Sequence, residues 1–164
     1  MSGTIRTRAG DAASLVILST FRAHGLLLAA GDVLAGHHGL TVARWQVLGA
    51  LALAGTPLTV PQIARRMGLT RQTVHATVKH LDRDKLVEFA PNADHRRSQL
   101  VHLTRRGAAK YSAVDERQAA WVNQLAHGLK RSDLETAARV LDELSTRLDA
   151  AEAGSGEGID HGES

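Results

Sequence analysis

The residues best equipped to act on something outside the chain lie in its middle third. In TRQTVHATVKHLDRDK (Thr70 to Lys85), Gln72, His75 and Lys79 recur at helical spacing. A little further on, His95-Arg96-Arg97 falls between two short stretches, Leu86-Val87-Glu88-Phe89 and Leu100-Val101-His102-Leu103. The first alternates apolar and polar residues as a strand does, and the second is apolar again, so the basic triplet is expected at the tip of a β-hairpin. Gln, His and Lys on one helix face can hydrogen-bond base edges, and arginines at an exposed tip can reach phosphates or a minor groove.

At roughly 100° per residue, the first stretch divides into two faces. Val74, Thr77, Val78 and Leu81 point one way, inward. Gln72, His75, Ala76 and Lys79 point the other way, flanked by Arg71 and Thr73, with no acid among them. The small Ala76 lets a surface come close, as a helix entering a major groove requires. A merely solvated face has the same polarity, so the neighbouring elements must decide.

They are arranged to do so. Upstream, TVPQIARRMG carries Thr59 and Gln62 in capping-box spacing, with Pro61 in the first turn, where its missing N–H costs nothing. That short helix stops at Gly68, and Thr70 caps the next after a turn of helix-turn-helix length. A hairpin follows, completing a winged helix-turn-helix. Before this region, a Leu- and Ala-rich helical pattern runs from about Asp11 to Leu34, too apolar all round to stand free in water. A second helix follows, capped by Thr41 and carrying Trp45, Leu48 and Leu51. After the hairpin, Thr104 caps a long helix with Tyr111, Val114 and Trp121. A last helix is expected from Ser132, boxed with Glu135, to Ala150, with Leu134, Leu141, Leu144 and Leu148 in one stripe. The fold class is therefore mainly α with a small β-hairpin wing.

Composition narrows the function. Aromatics make up only 3% of the chain, so the core must be Leu, Val and Ala, which favours helices. There is no cysteine, which excludes disulfides, thiolate metal sites and thiol-based sensing. No unbroken apolar run is long enough to span a bilayer and no signal peptide is evident, so no membrane partner and a cytoplasmic location are expected. Residues 61–111 hold 11 basic against 4 acidic residues, whereas residues 112–164 hold 5 against 11. A basic middle beside an acidic end suits a polyanion-binding surface confined to the middle.

Other chemistries lack a full set of residues. His24, His37 and His38 would be the best metal ligands, but no cysteine and few acids lie near them in sequence, so no metal or other cofactor is expected. Ser14, His24 and Asp32 offer hydrolase residue types without a nucleophile elbow or phosphate loop, so no enzyme activity is expected. A winged-helix module that binds protein, or packs DNA without sequence preference, is the alternative to a specific regulator.

Three stretches in order, LTVARWQVLGAL (Leu40 to Leu51), LTVPQIARRMGLTRQTVHATVKHLDRDKLVE (Leu58 to Glu88) and RRSQLVHLTRRG (Arg96 to Gly107), resemble the multiple-antibiotic-resistance regulator (MarR) family of winged-helix transcription factors. The resemblance covers nearly the whole chain except its tails. It implies a homodimer on a palindromic operator in double-stranded DNA, acting as a repressor released by a small aromatic or anionic ligand. With it, the chain divides into a helical dimerisation region (11–36 and 104–150) and a winged helix-turn-helix (40–103), while composition marks a flexible polar tail (1–10) and a disordered Gly- and acid-rich tail (151–164). By residue, Arg71, Gln72, Thr73, His75 and Lys79 match recognition-helix positions, Thr70 matches the cap, and Arg97, with Arg96 beside it, matches the wing tip. The family's ligand pocket would draw on His24, His38, Arg44 and Trp45, with Trp45 either stacking on a ligand or packing in the core. One departure stands out. The acid that the family carries two residues before the wing arginine is His95 here, with Asp94 one residue earlier, which leaves open whether Asp94 braces Arg96 or Arg97.

Overall fold

The computed structural model describes residues 5–93, 95 and 97–156. The elements are α1 (Arg8–Gly36), α2 (Val42–Ala54), β1 (Leu58–Thr59), α3 (Val60–Met67), α4 (Arg71–Arg83), β2 (Val87–Ala90), β3 (Leu100–Leu103), α5 (Arg105–Ala126) and α6 (Arg131–Gly156). They fall into two compact units, Met1–Ala120 and Trp121–Ser164.

The first unit is organised around a core of fully buried aliphatic side chains. Val47 and Leu48 of α2, Ile63 of α3, and Val74, Val78 and Leu81 of α4 meet Val87, Val101 and Val114 there. Burying each such side chain contributes roughly 1.5–3 kcal/mol. The inward face read from the α4 sequence is thus the buried one. Thr77, half-buried, satisfies its hydroxyl by donating to the Thr73 carbonyl at 2.8 Å.

The wing carries one strand more than a hairpin. β3 pairs antiparallel with β2 (Phe89 opposite Val101) and also with β1 (Leu58 opposite Val101), giving the order β1-β3-β2. A two-residue strand leaves no alternation to read, and its partner is distant in sequence. Thr59 therefore looked only like a helix cap, and it is both. Its hydroxyl accepts from Gln62 N–H at 3.4 Å while Gln62 Oε1 accepts from Thr59 N–H at 2.8 Å.

The joint between wing and α5 depends on Thr104 and Gly107. The Thr104 hydroxyl lies 2.9 Å from the Lys85 carbonyl and 3.1 Å from that of Leu86, and it accepts from Gly107 N–H at 3.0 Å. A Cβ on Gly107 would stand 2.0 Å from the Leu86 carbonyl oxygen, so only glycine fits. Further along α5, Tyr111 packs on Gly49 of α2. Burial, then the charge of Asp115 and a hydrogen bond to it, push the Tyr111 phenol above its ordinary 10.0.

Three boundary expectations are corrected. α1 begins at Arg8, within the tail expected over residues 1–10, because Thr7 caps it by accepting from Gly10 N–H at 3.0 Å. α6 begins at Arg131 rather than being capped by Ser132. Glu135 pairs with Arg131 at 2.6 Å, so the Ser132–Glu135 box does not form. α6 also runs to Gly156, so residues 151–156 are helical rather than part of a disordered tail, and residues 157–164 lie outside the described residues. Separately, α1 is long and apolar enough by length and composition to cross a membrane, with a mean hydropathy of 1.5 over 18 residues. The expectation that no unbroken apolar run reaches spanning length stands, because Arg22 and His24 interrupt this one.

Candidate nucleic-acid interface

α3 ends at Gly68, whose φ of 60° lies in the left-handed region that favours glycine. Thr70 then starts α4, its hydroxyl accepting from Thr73 N–H at 3.1 Å and lying 2.8 Å from the Thr73 hydroxyl. No acid occupies the first turn of α4. Its positive end is therefore uncompensated and favours an approaching anion. Arg71, Gln72, Thr73, His75, Ala76 and Lys79 are all exposed, directly opposite the buried Val74–Val78–Leu81 face. α4 thus brings the sequence-derived contact residues onto one surface. Thr73 is partly committed, since its hydroxyl already bonds the cap.

Beyond β2, His95 and Arg97 are exposed in the loop before β3, where Ser98 N–H donates to the His95 carbonyl at 2.9 Å. Arg96 and Asp94 lie outside the described residues, and so does the question of which arginine Asp94 braces.

The four residues expected to line a ligand pocket do not share one surface. His24 is exposed on α1. His38, in the turn after α1, has its carbonyl held by the Lys110 ammonium, while its Nε2 is buried without a partner. Trp45 lies toward α1, where a Cβ on Gly31 would come within 3.7 Å of its ring, and its Nε1 is also buried without a partner. Unpaired buried polar atoms are costly and uncommon, so both call for an explanation. Arg44, next to Trp45 in sequence, faces α4 instead. It forms an ion pair with Asp84, the C-cap of α4. With Thr41, Thr73, Ala76, Thr77 and His80 it lines a groove of about 470 Å³. The sequence marks His80 as a surface or phosphate contact, but it does not bring His80, Thr41 and Thr77 together with Arg44, because α2 and α4 are far apart in the chain. The pair is partly exposed, 22% for Arg44 and 49% for Asp84, and pairs of that kind contribute only about 0–1 kcal/mol.

A helix-turn-helix followed by an antiparallel wing, with an acid-free polar face on its second helix, defines a winged-helix DNA-binding protein. Comparison with known proteins narrows this. The family model described as MarR family matches residues 38–98. The uncharacterised protein Rv2011c of Mycobacterium tuberculosis is 36% identical over 140 residues, spanning 85% of this chain and 96% of that protein. The crystal structure of the MarR family transcription regulator SP03579 superposes with a TM-score of 0.69 at 26% identity, covering 88% of this chain and 94% of that one. CouR from Rhodococcus jostii RHA1, solved bound to p-coumaroyl-CoA, shares the fold with a TM-score of 0.68 at 21% identity, covering 79% and 88%. The chain belongs to the MarR family of transcription regulators. The family matched and the solved structure of SP03579 are those of transcription regulators rather than enzymes.

Proposed function

We propose that this regulator is a homodimeric repressor that binds a palindromic operator and is released by a small aromatic or anionic molecule. The observation that carries the reading is the face of α4. Gln72, His75 and Lys79 stand exposed around Ala76, with Thr70 capping the helix and no acid in its first turn. In this reading Gln72 reads bases, Arg71, Thr73, His75 and Lys79 contact base edges or flanking phosphates, and Arg96 and Arg97 anchor the wing.

Two further observations support the finer parts. Leu15, Leu18, Phe21, Leu26 and Val33 of α1 are exposed in the single chain, as are Leu134, Leu141 and Leu148 of α6, and each row is suited to packing against a second copy. The unpartnered Trp45 Nε1 and His38 Nε2 are donors or acceptors that a bound molecule would satisfy. CouR, which shares the fold, binds an aromatic thioester, p-coumaroyl-CoA. His24, exposed on α1, completes the proposed ligand set with Trp45 and His38. Arg44 stands apart from it.

The test is selection of bound sequences from random DNA, followed by footprinting. One enriched inverted repeat, protected over a short interval, supports the reading. General coating of any duplex points to an architectural protein and refutes it. Adding candidate aromatic acids to the operator complex while following Trp fluorescence in a Trp121→Phe background then tests release. Release without a change at Trp45 places the effector site elsewhere.

A further inference from the structure

The groove between α2 and the recognition helix has a charge pattern that the proposed base-reading face does not use. Arg44 projects from the first turn of α2 beside Thr41, whose hydroxyl accepts from Arg44 N–H at 3.3 Å. Across the groove stands His80, whose Nδ1 lies 2.7 Å from an Arg83 guanidinium nitrogen. With Arg83 donating, His80 carries its proton on Nε2 and is itself a donor there. Among the described residues, the acid bonded to Arg44 is Asp84, which occupies one guanidinium nitrogen and leaves other N–H groups of the fork available. Thr73 and Ala76 belong both to the groove wall and to the exposed face of α4. The groove therefore opens beside the surface that would face DNA.

We infer that this groove takes a phosphate of the DNA backbone, gripped by Arg44 with His80 and the Thr41 hydroxyl, when α4 enters the major groove. The inference rests on the DNA-binding reading of α4 and deepens it. Arg44 becomes a positioning contact for DNA rather than an effector ligand, and Asp84 becomes an internal competitor that holds Arg44 in place until a phosphate displaces it. Partial exposure of the pair makes the exchange easy, because the anion that arrives replaces the one that leaves. A guanidinium suits the task because its fork can bond a phosphate through two N–H groups at once.

The test uses the full chain, a labelled duplex carrying the selected inverted repeat, and a random duplex of equal length, each titrated over a range of salt. Arg44→Ala should weaken binding to both duplexes by the same factor and lower the slope of log affinity against log salt by about one unit. Arg44→Lys should retain the slope. Asp84→Asn keeps the shape of the cap but removes the competing charge, so it should tighten binding. A strut holding α2 to α4 predicts otherwise, with Arg44→Ala and Asp84→Asn weakening binding alike and lowering the melting temperature together. That parallel loss, or an unchanged salt slope in Arg44→Ala, overturns the inference while leaving α4 as the reader of DNA. If the unaltered protein binds neither duplex, the DNA reading fails and this inference fails with it.

Discussion

The winged-helix lobe and the long helices at either end of the chain treat apolar residues in opposite ways. In the lobe, Val47, Leu48, Ile63, Val74, Val78 and Leu81 are completely buried within one chain. In α1, only Gly31 and Ala35 are buried, while Phe21 remains 71% and Leu15 67% exposed. The α6 leucines are also open, with Leu148 68% exposed. The lobe buries its apolar residues within a single copy, whereas α1 and α6 each leave a row of them exposed. The lobe is a finished object. The end helices are finished only in the proposed homodimer, where a second copy would cover them.

Five experiments probe the difference, taken from the largest expected effect. Ending the chain at Lys130 removes α6 and, if the homodimer reading is right, should yield aggregate or unfolded protein by light scattering and circular dichroism. A well-behaved monomer from that truncation would break the comparison. Gly107→Ala attacks the lobe instead, forcing a methyl group to within 2.0 Å of a backbone oxygen. It should cost roughly 3 kcal/mol or more in urea unfolding. Gln72→Ala should leave stability unchanged and relax sequence preference, losing roughly 1–3 kcal/mol of discrimination at the base it reads. Arg97→Ala should instead lower the salt slope by about one unit without changing preference. If Gln72→Ala kept discrimination and Arg97→Ala destroyed it, the two roles would be reversed. The smallest expected effect is none. The chain has no cysteine, and Met67 is half-buried on α3, so peroxide at doses that fully oxidise a thiol sensor should leave DNA binding unchanged.

Local chemistry made much of the lobe readable. Thr41, Thr59, Thr70 and Thr104 each cap the helix their position announces, because a cap is a bond between residues three apart and shows in spacing alone. The division of α4 into a buried and an exposed face follows from the same helical period. What spacing cannot show is tertiary direction. Arg44 and Trp45 are neighbours in sequence, yet one meets α4 and the other lies toward α1. β1 escaped notice because a two-residue strand is defined by its partner, β3, rather than by its own pattern. At the far end, AEAGSG carries glycines and a serine that argue against a helix, yet α6 continues through it to Gly156. The Ser132–Glu135 spacing was genuine, but Arg131 claimed Glu135 first.

The close approach at Gly107 has a mechanical consequence. Thr104 ties the start of α5 to the Lys85–Leu86 turn, which joins the recognition helix to the first wing strand, and the bare Gly107 backbone lies directly against that turn. Gly107 itself has no side chain to compress or re-rotate at this joint, which leaves little slack. A twist at the start of α5 is transmitted to α4 and the wing as to two arms fixed on one axle. An event on that helix would therefore change the angle at which the protein meets its target before it changed the shape of either arm.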